Sequence, residues 1–369
     1  MKHIPWANPI FDSKELSQIK KSFKRQRFTM GENVNNFEKK FSKIWNSKYS
    51  IAVSNGTVAL DIALRALSIK KGDEVIVPAV SYISTASTIS YQGATPVFID
   101  ICPDLFSIDP DKIQKAITKK TKAIIYIDYG GIPSNFNKIS HIAKKNNLFL
   151  ILDGAQTLGA KINNNYIGHN GIISTVSFHM AKIISTIEGG MISTNSKQLE
   201  KKIKTIRNIG EPFGRKYSHT MLGTNARMTE LQAGIGLEQL KKLSFYVKER
   251  NRIADIYIDL LKKYKVKIEL PQFPKGYKPS YFFFPILIAK RNYIAKTILK
   301  KFNIDTRIAY PKPIYEQPMY KYGNLVYKKN ECHYAEYFCK KILNLPIYPY
   351  MKESDTSRVV KAIKQLQND

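Results

Sequence analysis

The sequence predicts an α/β protein: a large domain with a mainly parallel, mixed sheet covered by helices, and a smaller α+β domain at the C-terminal end. Residues 50–195 alternate short β-branched apolar runs with helical periodicity. A long helical pattern follows from Met228 to about Tyr264, and residues 265–369 mix proline-containing loops with short apolar runs. Strands separated by whole helices need crossover connections, which place parallel neighbours side by side and bury both faces of the sheet.

The predicted elements of the large domain follow each other in a regular order. The strands are Tyr49–Ser54, Glu74–Pro78, Pro96–Asp100, Ala123–Ile127, Leu148–Asp153, Thr175–His179 and Met191–Thr194. The helices between them are Val58–Leu67, Ser84–Tyr91, Pro110–Ile117 and Asn135–Lys145. For the smaller domain we predict a strand at Tyr281–Ala289 and a last helix at Ser354–Leu366. We place the division between residues 240 and 241, so that 1–240 form the N-terminal segment and the large domain and 241–369 form the smaller one.

The charge of the chain is strongly unbalanced. Its 59 Lys and Arg residues face 29 Asp and Glu residues, a formal net charge of +30. Lysine pairs are spread evenly along the sequence, and no helix-turn-helix, zinc-finger or RNP signature accompanies them. We therefore expect a lysine-rich surface and no nucleic-acid partner, with a basic nucleic-acid-binding protein as the alternative. A positive field also attracts small anionic substrates.

Other features of the composition exclude further classes. A hydrophobic content of 43% is too high for a disordered basic chain. The longest apolar runs are too short to span a bilayer, and the first residues do not resemble a signal peptide, so we expect a soluble cytoplasmic protein without a membrane span. Cys102, Cys332 and Cys339 lack the spacing of a metal site. We predict that they are small buried side chains and that the protein holds no metal.

Functional side chains are expected where predicted strands end, because ligands of parallel sheets bind at the carboxyl ends of the strands. The segment Ser54-Asn55-Gly56-Thr57-Val58 joins a strand to a helix. Its glycine, the free N–H groups of the helix start and the Thr57 hydroxyl suit a phosphate, although the same pattern occurs as a simple helix cap.

Two charged residues also follow strands. Asp153 ends a strongly apolar strand, where burial disfavours its charge unless a cation lies nearby; the alternative is a turn former or helix cap. Lys182 comes shortly after the predicted strand Thr175–His179. A lysine in partly apolar surroundings has the lowered pKa that a Schiff-base nucleophile needs, and the alternative is a solvated surface lysine. Together with the aromatic ring of Tyr82, the segment 54–58, Asp153 and Lys182 are the kinds of group that a pyridoxal phosphate site needs.

The sequence resembles the DegT/StrS-type, pyridoxal phosphate-dependent nucleotide-sugar aminotransferases. Members of this family have the type I aminotransferase fold and work as homodimers. The matching segments extend over nearly the whole chain: 31–38, 54–60, 72–78, 93–98, 153–156, 177–182, 188–191, 225–232 and Tyr310-Pro311. The resemblance implies that Lys182 forms the internal aldimine with the cofactor and that Asp153 pairs with the pyridine nitrogen.

The resemblance also implies the remaining contacts with the cofactor. Tyr82 would stack on the ring, and Gln156 would lie at the side of the 3-hydroxyl group. The residues that would hold the phosphate are Gly56, Thr57, Val58 through its backbone, Ser177, and Asn225 from the other subunit of the homodimer.

The implied reaction has two halves. L-Glutamate gives its amino group to pyridoxal phosphate, which leaves pyridoxamine phosphate and 2-oxoglutarate. The amine then attacks a keto group of a nucleoside-diphosphate deoxyhexose and yields an amino sugar for a surface polysaccharide or a related glycan. A dehydratase of the same family, which uses pyridoxamine phosphate and has histidine in place of the lysine, is one alternative, and a non-catalytic regulatory member is another.

Two residues depart from the family pattern. Asp128, in Asp128-Tyr129-Gly130-Gly131, stands where family members often have histidine or another residue, and Tyr315 stands where many members have histidine. The first departure concerns the side of the amine donor and the second the contacts with the sugar. The stretch Trp6–Met30, with Arg25, Arg27 and Phe28, is predicted to contribute to the nucleotide site.

Overall fold

The computed structural model describes residues 2–168, 171–212 and 214–368. Its strands are β1 Tyr49–Val53, β2 Glu74–Pro78, β3 Thr95–Ile99, β4 Thr121–Ile127, β5 Phe149–Asp153, β6 Lys161–Ile162, β7 Asn165–Tyr166, β8 Ile173–Ser177, β9 Gly190–Thr194, β10 Tyr277–Lys278, β11 Phe284–Leu287, β12 Lys328–Lys329 and β13 Ile342–Leu345. Its α-helices are α1 Ser13–Arg25, α2 Glu32–Ile44, α3 Gly56–Ala66, α4 Ser84–Tyr91, α5 Pro110–Ala116, α6 Phe136–Lys145, α7 Lys197–Arg207, α8 Glu230–Lys263, α9 Arg291–Phe302, α10 Pro318–Lys321, α11 His333–Lys341 and α12 Glu353–Asn368.

The main sheet has eight strands in the order β1-β9-β8-β5-β4-β2-β3-β12. All of them except β9 run in the same direction, and β9 lies antiparallel between β1 and β8. The central strand β2 is buried along its whole length, as expected for a sheet covered by helices on both faces. The predicted mixed, mainly parallel sheet is confirmed, and the carboxyl ends of β1, β2, β4, β5 and β8 meet at one edge.

Two predicted strands have different bounds in the structure. The predicted strand Thr175–His179 is β8, Ile173–Ser177, which leaves His179 and Lys182 in the turn that follows; the Lys182 N–H donates to the His179 carbonyl at 2.9 Å. The predicted strand Tyr281–Ala289 is reduced to β11, Phe284–Leu287. Residues 280–283 do not continue it because their backbone bonds to the loop after β4 instead.

The long helix α8 connects two hydrophobic cores. Its first half supplies Ala233 and Leu237 to the core around the main sheet. Its second half supplies Ile253 and Tyr257 to a second core with β11, β13 and the last helix. The predicted division between residues 240 and 241 falls inside this continuous helix and stays a prediction.

Two further predictions from composition concern the burial of the cysteines and the lack of a membrane span. Cys332 and Cys339 are buried, as predicted, whereas Cys102 is only half-buried in the turn that follows β3, so that prediction was wrong for this residue. None of the helices in the described part of the chain combines the length and apolarity needed to cross a membrane.

Candidate active site

The loops at the carboxyl edge of the sheet bring most of the predicted site residues together. Asp153 ends β5, Ser177 ends β8, and Lys182 lies in the turn after β8. Gly56 and Thr57 open α3 directly after β1, and Tyr82 lies between β2 and α4. The parallel arrangement of β1, β2, β5 and β8 is what collects residues that are 126 positions apart in the sequence, from Gly56 to Lys182.

Asp153 is a buried carboxylate with few partners. Its Oδ2 accepts a hydrogen bond from the Thr85 hydroxyl at 2.7 Å, and its Oδ1 accepts from the Ala155 N–H at 3.3 Å. Burial raises the pKa of Asp153 above the ordinary carboxyl value, and the two hydrogen bonds and the nearby Lys182 oppose that rise. A cationic ligand group beside Asp153 would stabilise its ionised form.

Lys182 is only partly exposed. Burial lowers the pKa of its amine to about 8, and the charge of Asp153 opposes this shift. Its Nζ lies 4.6 Å from the centroid of the Phe282 ring. An amine with a pKa of about 8 is neutral in roughly one molecule in ten at pH 7, far more often than an ordinary lysine, and the neutral form is the one that attacks an aldehyde.

The Lys182 pKa leads to a prediction for the binding of pyridoxal phosphate to the cofactor-free protein. The rate of covalent attachment should rise with pH as Lys182 loses its proton and should level off above pH of about 8. The measurement is the amount of borohydride-trapped cofactor on Lys182 after short incubations at a series of pH values. A rate that keeps rising toward 10.5, the ordinary lysine value, would contradict the lowered pKa.

Gln156 and Tyr310 lie next to this pair. Gln156 accepts a hydrogen bond from the Gly130 N–H through Oε1 at 2.8 Å, and its Nε2 donates to the Tyr310 hydroxyl at 3.4 Å. The Tyr310 ring lies 6.2 Å from the ring of Tyr82, centroid to centroid. Both tyrosines line a cleft of about 450 Å³. Its other walls are Ser81, Ile83, Ile314, Gln317, Pro318 and Met319.

The start of α3 forms a close-packed cradle with β8. A Cβ atom added to Gly56 would lie 2.7 Å from the Cβ of Ser177, so only glycine lets the two backbones approach this closely. The Thr57 hydroxyl is 2.7 Å from the Ser84 hydroxyl. The Val58 N–H already donates to the Asn55 side chain at 2.9 Å, so its predicted contact with a phosphate has a competitor.

Replacing Gly56 with alanine should damage this cradle. The added Cβ meets Ser177, so we expect a loss of about 1 to 3 kcal/mol in the free energy of unfolding and at least about a tenfold loss of cofactor affinity. Denaturant unfolding and equilibrium dialysis with pyridoxal phosphate measure the two effects. The double variant Gly56→Ala/Ser177→Gly removes the clashing atom and should regain stability. Equal stabilities of the wild type and Gly56→Ala would show that the contact is unimportant.

Asn225 differs from the other predicted residues because its side chain is exposed. The neighbouring Ala226 carbonyl accepts a hydrogen bond from the Ser54 N–H at 2.9 Å, so this segment passes along the end of β1. The exposed position leaves the amide available to a second subunit. Its role across a dimer stays a prediction.

The two residues that depart from the family pattern are both buried and hydrogen-bonded. Asp128 is buried, accepting hydrogen bonds from the Ser134 N–H at 2.8 Å and hydroxyl at 2.7 Å and from the Thr157 hydroxyl at 2.8 Å. It therefore ties the loop after β4 to the loop that carries Gln156. Tyr315 is buried against Phe98 and donates its hydroxyl to Glu336 at 2.8 Å. Tyr315 is not among the residues that line the cleft beside Tyr310.

The predicted nucleotide segment 6–30 approaches the site through its first residues: Ala7, Asn8, Pro9 and Ile10 line the same small cavity as Lys182. The Trp6 ring packs edge-on against Phe282 with 6.4 Å between centroids. Arg25 pairs with Glu32 at 3.0 Å, and Arg27 donates to the Met30 carbonyl at 2.9 Å. Because both arginines have local partners, a contribution to nucleotide binding stays a prediction. Phe28 is exposed and packs against Phe23.

Three residues of the site were missing from the sequence-based set: Thr85, Tyr310 and Phe282. Thr85 had a usable signal, because it is a hydroxyl residue one turn after Tyr82 at the start of a helix. Tyr310 belonged to a segment of the family resemblance but had no assigned role. Phe282 had no signal, since its run of aromatic residues is typical of a core strand.

These residues fit pyridoxal phosphate. Asp153 is a buried carboxylate whose raised pKa indicates the lack of a strong cationic partner, and a protonated pyridine nitrogen is such a partner. Lys182 supplies the amine, and the cradle of Gly56, Thr57 and Ser177 at the start of α3 suits the phosphate. No three His, Cys, Asp or Glu side chains gather as a metal site among the residues that the structure describes.

Comparison with known proteins gives consistent matches over the whole length. The sequence pattern of the DegT/DnrJ/EryC1/StrS aminotransferase family matches residues 9–364. A GDP-perosamine synthase of Escherichia coli O157:H7 is 34% identical and covers 100% of both chains. A pleiotropic regulatory protein of Geobacillus stearothermophilus is 35% identical, over 97% of this chain and 98% of its own. The crystal structure of S. venezuelae DesV in complex with a ketimine intermediate superposes with a TM-score of 0.92 at 28% identity, over 100% of both chains.

Proposed function

Because the chain belongs to the DegT/DnrJ/EryC1/StrS aminotransferase family and has the type I aminotransferase-like fold, we propose that it transfers the amino group of L-glutamate to a keto group of a nucleoside-diphosphate deoxyhexose. The product is an amino sugar for a surface polysaccharide or a related glycan. The observation that carries the proposal is the location of buried Asp153 within the electrostatic influence of Lys182, an amine whose pKa is lowered to about 8, at the carboxyl edge of the sheet.

Lys182 has two tasks in this proposal. As a neutral amine it would hold the cofactor, and when freed by the amino donor it would move a proton at the substrate carbon that bears nitrogen. A pKa near 8 suits both tasks, because the amine gains and loses a proton easily at the working pH. Pyridoxal phosphate, when bound, supplies the electron-withdrawing ring that makes the loss of this proton possible.

The other residues bind and orient. Asp153 keeps a proton on the ring nitrogen through its negative charge, and Thr85 holds the carboxylate in place at 2.7 Å. Tyr82 is 59% exposed and therefore has a free ring face to stack on the cofactor. Gln156 would lie at the side of the 3-hydroxyl, and the Gly56 cradle with Ser177 would hold the phosphate.

The experiment that tests this function supplies L-glutamate and a panel of nucleoside-diphosphate keto sugars. The panel varies the nucleotide and places the keto group at C3 or C4. We expect 2-oxoglutarate and an amino sugar from at least one member, identified by mass. No 2-oxoglutarate with any member, from protein that carries the cofactor, would contradict the proposal.

Two alternatives give different results in the same assay. A dehydratase would release the sugar without a new amino group, and Lys182 argues against it because such dehydratases have histidine at this position. A regulatory protein would form no product; the relative named a pleiotropic regulatory protein is the specific reason to consider it. The intact set of Asp153, Gln156 and Lys182 favours the enzyme.

We also propose that the protein works as a homodimer in which Asn225 reaches the phosphate of the partner subunit. Large apolar side chains near Lys182 and Asn225 are exposed in the single chain: Met180, Ile187, Ile209 and Leu222. Their burial between two subunits would stabilise such a dimer.

Mixing two inactive variants tests this arrangement. Lys182→Ala and Asn225→Ala chains, unfolded and refolded together, form mixed dimers with one intact site if Asn225 acts across the interface. Activity should then reappear on mixing, and light scattering should give the mass of a dimer. Activity that stays absent after mixing, in protein shown to be dimeric, would place Asn225 at its own subunit's site.

A further inference from the structure

The ring of Phe282 contacts the ammonium group of Lys182. The Nζ atom lies 4.6 Å from the ring centroid, within the range where the face of an aromatic ring attracts a cation. Phe282 is itself buried. We propose that Phe282 is a positioning residue: its ring face holds the ammonium group of Lys182 in place beside Asp153 while the lysine is not bonded to the cofactor. This inference rests on the proposed function only for the role of Lys182.

The ring is fixed by its aromatic neighbours. Phe282 and Phe283 lie 4.3 Å apart between centroids, and Trp6 meets Phe282 edge-on at 6.4 Å. Trp6 in turn packs under the guanidinium of Arg307 at 5.5 Å. A ring enclosed in this way keeps its orientation, so the face that it presents to Lys182 is a permanent feature of the site.

The backbone of the segment is anchored on two sides. The Arg250 guanidinium donates to the Tyr281 carbonyl at 2.9 Å and to the Phe282 carbonyl at 3.5 Å. The Ser280 N–H donates to Gly131 at 2.9 Å, and the Phe283 N–H donates to Gly130 at 3.3 Å. These bonds are the reason why the chain departs from a strand here. The departure places the Phe282 ring at the active site, away from the sheet β11-β13.

The charged and titratable groups around Lys182 also influence whether its amine is protonated. Asp153 at the end of β5 favours the ammonium form, and Tyr246 and Arg250 of α8 line the same small cavity as Lys182. The Tyr310 phenol also lies within the electrostatic influence of Asp153. Burial disfavours the ammonium form and the charge of Asp153 favours it; the Phe282 ring face, 4.6 Å from Nζ, adds a second attraction for the cation.

For the reaction, the contact with Phe282 holds the Lys182 amine at the place where it transfers a proton. A free lysine side chain has several flexible bonds and would otherwise sample many positions. Weakening the attraction should therefore lower kcat, because fewer molecules have the amine in place, and leave the KM for glutamate nearly unchanged.

The test replaces Phe282 with phenylalanines carrying one to three fluorine atoms on the ring, which weaken the negative ring face with little change in shape. Glutamate first converts the bound cofactor to its amine form, which frees Lys182; if no conversion occurs, cofactor-free protein is used, in which Lys182 is also free. Competitive acetylation across a pH series, read by mass spectrometry, then gives the Lys182 pKa. The same series at Phe283 is the matched control.

We expect the Lys182 pKa to fall stepwise with fluorination at Phe282, by roughly 0.5 to 1 unit in total, and kcat to fall severalfold. Phe282→Tyr should restore both, and the Phe283 series should move neither. An unchanged Lys182 pKa throughout the Phe282 series, or equal shifts in the two series, would overturn the proposal. If the protein fails to react with glutamate but the pKa still falls, the proposed function is wrong and the contact is confirmed.

Discussion

Replacing Lys182 with alanine should lower the rate of amino transfer by roughly four orders of magnitude or more. The substitution removes both the group that bonds to the cofactor and the group that moves the proton at the substrate carbon. It should also abolish the borohydride-reducible bond between protein and pyridoxal phosphate. Mass spectrometry of the reduced and digested protein locates that bond, and 2-oxoglutarate release gives the rate.

The chain offers a suitable control for Lys182 because it has so many lysines. Lys145 is exposed at the end of α6, so Lys145→Ala should change neither the rate nor the reducible bond. Circular dichroism and thermal unfolding should show that both variants are folded. A Lys182→Ala protein that still forms a reducible bond with the cofactor would show that Lys182 is not the residue that bonds to it.

Replacing Asp153 with asparagine should slow turnover by roughly two to four orders of magnitude while the fold remains intact. Asparagine has no negative charge to keep the cofactor's ring nitrogen protonated. The free energy of unfolding should stay within about 1 kcal/mol of the wild type, because a neutral amide replaces a buried carboxylate and still accepts the Thr85 hydrogen bond. Steady-state kinetics with glutamate and urea unfolding measure the two quantities.

Thr85→Val separates the charge of Asp153 from its orientation. The variant removes the hydroxyl that bonds to Oδ2 at 2.7 Å and leaves the carboxylate in place, so we expect a loss of roughly tenfold in turnover, much less than for Asp153→Asn. Unchanged turnover with glutamate in Asp153→Asn would show that this carboxylate does not serve the ring nitrogen. Equal losses in the two variants would mean that orientation, and not charge, is the main contribution.

The sequence predicted the parts of the fold that depend on local pattern. Strands such as Glu74–Pro78 were found with the predicted bounds because an apolar run between turn residues has few other solutions. The end of β8 was misplaced by two residues, since neither Phe178 nor His179 is a turn-forming residue that would mark the end of the strand. The direction of β9, antiparallel between two parallel strands, depends on long-range pairing that no local pattern records.

The residues of the candidate site also divide into those that the sequence predicted and those that it did not. Asp153 and Lys182 were predicted because a charged residue after an apolar strand is unusual and because their order resembles that of a known family. Phe282 was not predicted, because its contact with Lys182 depends on hydrogen bonds between residues 280–283 and the loop after β4. A residue that bears no charge and acts through another has no signature of its own in a single sequence.

The most direct test of the central claim follows nitrogen from donor to acceptor. The protein is incubated with pyridoxal phosphate, glutamate labelled with nitrogen-15 and an accepted nucleoside-diphosphate keto sugar, and the sugar is analysed by mass spectrometry and NMR. We predict that the labelled nitrogen appears on the carbon that carried the keto group, in equal amount to the 2-oxoglutarate formed, and that Lys182→Ala forms neither. A sugar that changes without gaining labelled nitrogen would contradict the account.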